Sequence, residues 1–155
     1  MYRDKDYIEQ EIDKFSKQEI QRLSGERKRD FIIHFKRKFL KTNRKNAFSV
    51  FEMLQDDFIG IDVYESWKWV KDYLTERILV LFGTIESENI YEIKDGAIFD
   101  QLYDNLPGIE FYITNSKYDF LIGYNHSNCL VAMGRAIEWL ENDIRYKNYY
   151  GSRQL

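Results

Sequence analysis

Residues 109–144 read IEFYITNSKYDFLIGYNHSNCLVAMGRAIEWLENDI, and this stretch decides the fold class. Two apolar runs, Ile109–Thr114 and Tyr118–Tyr124, flank a tight polar connection at Asn115, Ser116 and Lys117. That is the pattern of a β-hairpin. A third apolar run, Cys129–Met133, follows the loop Asn125-His126-Ser127-Asn128. After Gly134, the residues Ala136, Ile137, Trp139, Leu140 and Ile144 recur at helical spacing, which predicts a closing helix.

Working back toward the N-terminus, Ala97–Leu106 places Ile98, Phe99, Leu102 and Leu106 on one helical face, stopped by Pro107-Gly108. Ile90–Ile93 is a short run suited to an edge strand. Arg77–Phe82, RILVLF, is apolar at nearly every position. A strand of that kind is covered on both faces. Tyr64–Leu74 predicts a helix with Trp67, Val70 and Leu74 inward, leaving Trp69 as an exposed ring. Asp56–Asp62 reads as a turn, and Ala47–Leu54 fits either helix or strand. Lys5–Leu23 and Glu26–Leu40 each carry an apolar stripe, the second through Phe31, Ile32, Phe35 and Phe39. With Gly25 between them they predict a helical hairpin. Tyr146–Leu155 reads as a frayed tail. The whole is an α+β chain: a small, mainly antiparallel sheet covered by helices, with an N-terminal helical hairpin packed on it. One domain is expected, with residues 1–45 as hairpin, 46–145 as body and 146–155 as tail.

The chain has 155 residues, 44% hydrophobic and 17% aromatic, enough for a core built from large rings. Cys129 is the single cysteine, so no internal disulfide is available. The first residues, MYRDKDYIEQEIDKF, are charged and lack the apolar centre of a secretion signal. No apolar run reaches the length of a membrane span. A cytoplasmic protein is expected, and the richness in Ile, Lys, Asn, Tyr and Phe points to a bacterial, AT-rich genome.

The net charge of −3 is unevenly spread. Residues 22–45 carry ten Lys and Arg against Glu26 and Asp30, a net of +8, whereas residues 46–155 carry a net of −9. A basic segment is thus attached to an acidic body. Arg27, Lys28, Lys36, Arg37 and Lys41 form a candidate basic patch for phosphates. The plainer readings are a solvated face or a segment held against the acidic body.

The glycine-rich nucleotide loops, the G-x-S-x-G elbow and the H-E-x-x-H zinc motif are all absent. His126 and Cys129 could supply two zinc ligands or a thiolate–imidazole pair. Zinc needs three or four protein ligands, and the other histidine, His34, lies in the basic segment. No metal and no cofactor are therefore expected. In the alternative reading Cys129 is a small buried hydrophobe, while Asn125, His126 and Asn128 are loop formers. Asp56 and Asp57, with Asp62 and Glu65, gather carboxylates that could hold a cation or sit solvated before a helix N-terminus.

The runs Phe111–Asn115, Asp119–His126, Leu130–Gly134 and Ala136–Leu140 together resemble the closing segment of a family of small bacterial proteins of uncharacterised function. Similar small acidic α+β proteins serve as immunity proteins beside secreted toxins. The resemblance covers about the last third of the chain and implies a non-enzymatic protein. Three functions follow as expectations. The first is a binding protein that neutralises a basic toxin by occluding its surface, with Asn125, His126, Asn128, Trp69, Asp56 and Asp57 as candidate contacts. The second is a nucleic-acid-associated protein using the basic helix 26–45. The third is an enzyme centred on His126.

Overall fold

The computed structural model describes residues 4–41, 50–84 and 89–153. The elements in chain order are α1 (Asp4–Ile12), β1 (Ile20–Arg22), α2 (Gly25–Phe39), α3 (Val50–Met53), β2 (Phe58–Asp62), a 3-10 segment (Ser66–Asp72), β3 (Ile78–Phe82), β4 (Ile90–Ile93), α4 (Gly96–Asp104), β5 (Phe111–Thr114), β6 (Phe120–Tyr124), β7 (Cys129–Gly134), α5 (Ala136–Glu141) and α6 (Ile144–Arg153). The strands form one antiparallel sheet in the order β1-β4-β3-β5-β6-β7-β2. The α+β class and the antiparallel sheet match the sequence reading.

Alternation along β3 explains its unbroken apolar run. Ile78, Val80 and Phe82 face one core, beneath α1, the 3-10 segment, α4 and α5. Leu79 and Leu81 face a second core, beneath α2 and α3. Both faces are covered, so neither alternate position tolerates a polar residue. On the second face Phe31, Phe35 and Phe39 of α2 are all buried. Their ring centres follow one another along the helix at 5.3 and 5.4 Å, the first pair tilted and the second edge-to-face. Lys36 and Lys38 stay exposed and Lys28 is half-buried. Beside this helix the ring of Tyr112 lies across Gly123, where an added Cβ would come within 2.6 Å of it.

The helical hairpin expected over residues 1–45 is not what the described residues form. α1 ends at Ile12, a turn closed by Ser16 and Glu19 follows, and Ile20–Arg22 pair with β4 as an edge strand. Ile20 enters the first core and Leu23 the second. The chain therefore passes around the sheet edge, and α1 and α2 lie on opposite faces. An Ile20–Leu23 spacing of three mimics a helical stripe, and three residues are too few to show a period of two. For the same reason β4 is not an edge strand, because β1 lies outside it. The expected turn at Asp56–Asp62 is β2, paired with β7 along its whole length. The part of the ambiguous 47–54 run that is described, Val50–Met53, is helical, and residues 47–49 lie outside the described residues, as do 42–46 of the basic segment.

The expected tail is α6, and its first turn is fastened to the body. Arg145 donates from Nη2 to Asp72 at 3.0 Å and to Asp143 at 2.7 Å, and from Nε to Asp143 at 2.9 Å. Its guanidinium sits 4.6 Å from the centre of the Trp69 ring. Tyr73 also donates its phenol to Asp143. Hydrogen bonding from Arg145, more than that from Tyr73, holds the Asp143 carboxyl down to about 2. A carboxylate depressed in the fold contributes stability above its unfolded pKa of about 4 and loses it as pH falls toward the folded value. The wild-type melting temperature should accordingly fall between about pH 4 and pH 2. Asp143→Asn should be less stable at neutral pH and lose part of that acid slope. Parallel melting-temperature curves for the two proteins would exclude a contribution from this carboxylate.

Candidate functional site

The end of the sheet where β2 finishes and β6 turns into β7 gathers Glu65, Glu110, Tyr124, Asn125, His126 and Asn128. Its scaffold is a turn device used twice. In the β6–β7 loop the Asn125 side-chain oxygen accepts from the N–H groups of Ser127 at 2.8 Å and Cys129 at 3.1 Å. Asn128 closes the loop in the left-handed region at φ 63°. At the opposite end of the sheet Asn115 accepts from Lys117 at 3.1 Å, and Tyr118 takes the left-handed position at φ 53°. Asn125 and Asn128 are thus turn builders with a counterpart ten residues earlier, and Asn125 is itself buried. The loop leaves His126 and Ser127 exposed at its tip.

A second corner is tied to this loop. Glu65, after β2, has φ 61°, an unfavourable conformation for a side chain of this length. Its N–H donates to the Tyr124 hydroxyl at 3.2 Å, and that hydroxyl donates to Asn128 Oδ1 at 2.8 Å. The corner holds Tyr64 outward, three-quarters exposed at 75%. Glu65 forms an ion pair with Lys68.

Glu110 lies below His126 with its side chain 15% exposed. It accepts the Tyr112 phenol at 2.5 Å, and His126 Nδ1 is 3.4 Å from its other oxygen. Burial first, then Glu110, raises the Tyr112 phenol, which stays protonated as the donor. Cys129 is pushed up to about 11, chiefly by burial and then by Asp62 beside it. A thiol held that high carries little thiolate at neutral pH. What the site offers to solvent is the Tyr64 ring, the His126 imidazole and the Asp62 carboxylate, while Glu65 is paired with Lys68 and Glu110 with Tyr112 and His126.

The remaining candidates lie elsewhere. Asp56 and Asp57 precede the far end of β2, where both are exposed and Asp56 pairs with Lys41 at 2.6 Å. Trp69, expected outside, is buried at 9%. The cause is the 3-10 winding, in which residues three apart align, so Ser66 and Trp69 turn inward together. Trp67 instead is half-buried against Tyr103, with ring centres 4.9 Å apart. The basic patch is divided. Arg27 pairs with Glu92 at 2.5 Å and Lys41 with Asp56, while Lys36 and Arg37 are exposed and make no ion pair with a described residue. Lys28, the next residue along the helix, is half-buried.

Tyr64 and Glu110 do not figure in the motif reading, and Glu65 figures there only as a carboxylate grouped with Asp56, Asp57 and Asp62. A left-handed corner at a glutamate is invisible to composition. Glu110 is traceable, since an i, i+2 pair with Tyr112 on a strand shares one face.

No protein family, curated protein or solved structure matches the chain. Among the described residues no helix is long and apolar enough to cross a membrane. No three His, Cys, Asp or Glu side chains gather among them as a metal site.

Proposed function

We propose that this chain is a non-enzymatic binding protein of the immunity type, which covers the working surface of a basic protein partner with the loop end of its sheet. The reading rests on Tyr64. Tyr64 is exposed, and its neighbour Glu65, in the left-handed conformation and hydrogen-bonded through Tyr124 to the β6–β7 loop, fixes the backbone that presents it. Rigid aromatic anchors of this kind dominate interface energetics, because little entropy is lost on binding. Asp62 and Glu65, close to it in the chain, complement cations and speed encounter with a basic surface. Nucleic acid fits poorly beside these carboxylates.

A photo-crosslinking side chain at position 64, introduced in the cells that make the protein, tests this. The expected product is an adduct with one basic protein whose activity falls when purified chain is added. Tyr64→Ala should weaken that purified complex by at least about tenfold, or ~1.4 kcal/mol. An adduct with nucleic acid, no adduct, or unchanged affinity in Tyr64→Ala would overturn the proposal.

A further inference from the structure

The face of α2 turned away from the sheet is organised differently from the loop end. Glu26, Asp30, Ile33 and Arg37 follow one another at i, i+4, i+7 and i+11. That spacing puts them on one stripe, opposite Phe31, Phe35 and Phe39. All four are exposed. Ile33 is 51% exposed and packs in neither core. The stripe thus reads acid, acid, apolar, base.

We infer that a second copy of this chain docks on this stripe, the two α2 helices packing antiparallel about a two-fold axis beside Ile33. In that arrangement Ile33 meets the partner's Ile33. Asp30 faces the partner's Arg37, and by symmetry Arg37 faces the partner's Asp30. Asp30 and Arg37 thus each meet an opposite charge across the axis, and the antiparallel helix dipoles attract. A parallel pair would set like charge on like.

Acids at a helix N-terminus and bases at its C-terminus also suit the dipole of the single helix. That accounts for the charges but not for an isoleucine half in water at their midpoint. An anionic polymer would meet Glu26 and Asp30 on the same stripe, so a phosphate backbone is the poorer occupant. The helix is already fixed by its three phenylalanines, so docking orders no backbone. A contact of one helix pair falls at the small end of specific interfaces. The dimer is therefore weak and concentration-dependent.

Sedimentation velocity of the full chain over an about hundredfold range of concentration reads this directly. The wild type should shift from monomer toward dimer as concentration rises. Asp30→Lys alone and Arg37→Glu alone should each weaken association about tenfold, and Ile33→Asp should abolish it. The combined Asp30→Lys/Arg37→Glu variant should restore it, because the exchange of charges rebuilds both pairs across the axis. These positions are exposed, so every variant should still melt cooperatively as a folded protein, with Arg37→Glu somewhat lowered by the acid it places in the last turn of α2. A chain monomeric throughout, a dimer indifferent to the single variants, or a combined variant no better than the singles would overturn the inference. So would association that appears only with added heparin.

Discussion

Val80→Asp should leave no folded protein at room temperature. Val80 is fully buried in β3, inside the sheet, with Tyr91 and Ile113 opposite it on the adjacent strands. Neither neighbour is a cation, and its core is built from rings such as Phe82, Phe99 and Phe111. Burying an unpaired carboxylate there costs several kcal/mol in a domain whose whole stability is about 5–15 kcal/mol. Far-UV circular dichroism and a urea titration would read the outcome. A soluble variant with wild-type melting would remove β3 from the core.

Phe35→Ala should cost about 3–5 kcal/mol, the range for deleting a fully buried ring. Phe35 is 0% exposed, between Phe31 and Phe39, and the three rings face Leu121, Val131 and Met133 of the sheet. The paired variant Lys36→Ala/Lys38→Ala should barely move the midpoint, since both lysines are exposed and surface ion pairs contribute about 0–1 kcal/mol each. Apolar burial, not attraction to the acidic body, thus fixes the basic helix. Salt separates the two causes, because at about 1 M the screening length is only ~3 Å. If such salt freed the helix while Phe35→Ala were silent, charge would be what holds it.

The sequence makes some elements legible and hides others for identifiable reasons. RILVLF shows a strand covered on both faces because every alternate position is apolar. The pair of runs around Asn115 shows a hairpin because the turn chemistry lies between them. The stripe of Phe31, Phe35 and Phe39 shows the buried face of α2. By contrast, Gly60 and the neighbouring aspartates disguise β2 as a turn, although Gly60 leaves room for the Cys129 sulfur, which an added Cβ would approach to 3.3 Å. Three residues are too few to reveal β1. The Trp67/Trp69 assignment inverts because it rests on a period of 3.6 where the backbone winds at 3.0. The loop end is half legible. Asn125 and His126 mark the loop, but the Tyr64 corner depends on a long-range bond between Glu65 and Tyr124, which local spacing does not encode.

Both outermost strands of the sheet come from the first 62 residues, yet their partners lie at 90–93 and 129–134. A ribosome delivers β1 and β2 long before either has a strand to pair with. The ring stripe of α2 emerges just as early, while Leu121, Val131 and Met133 beneath it follow about ninety residues later. The nascent chain therefore holds an apolar, basic helix and the unpaired β2 until residues 121–134 are made. Closure of such long-range pairings is slow, and exposed apolar segments of this kind are what holding chaperones bind. A chain broken before residue 129 lacks the partner of β2, and one broken before residue 90 lacks the partner of β1 as well.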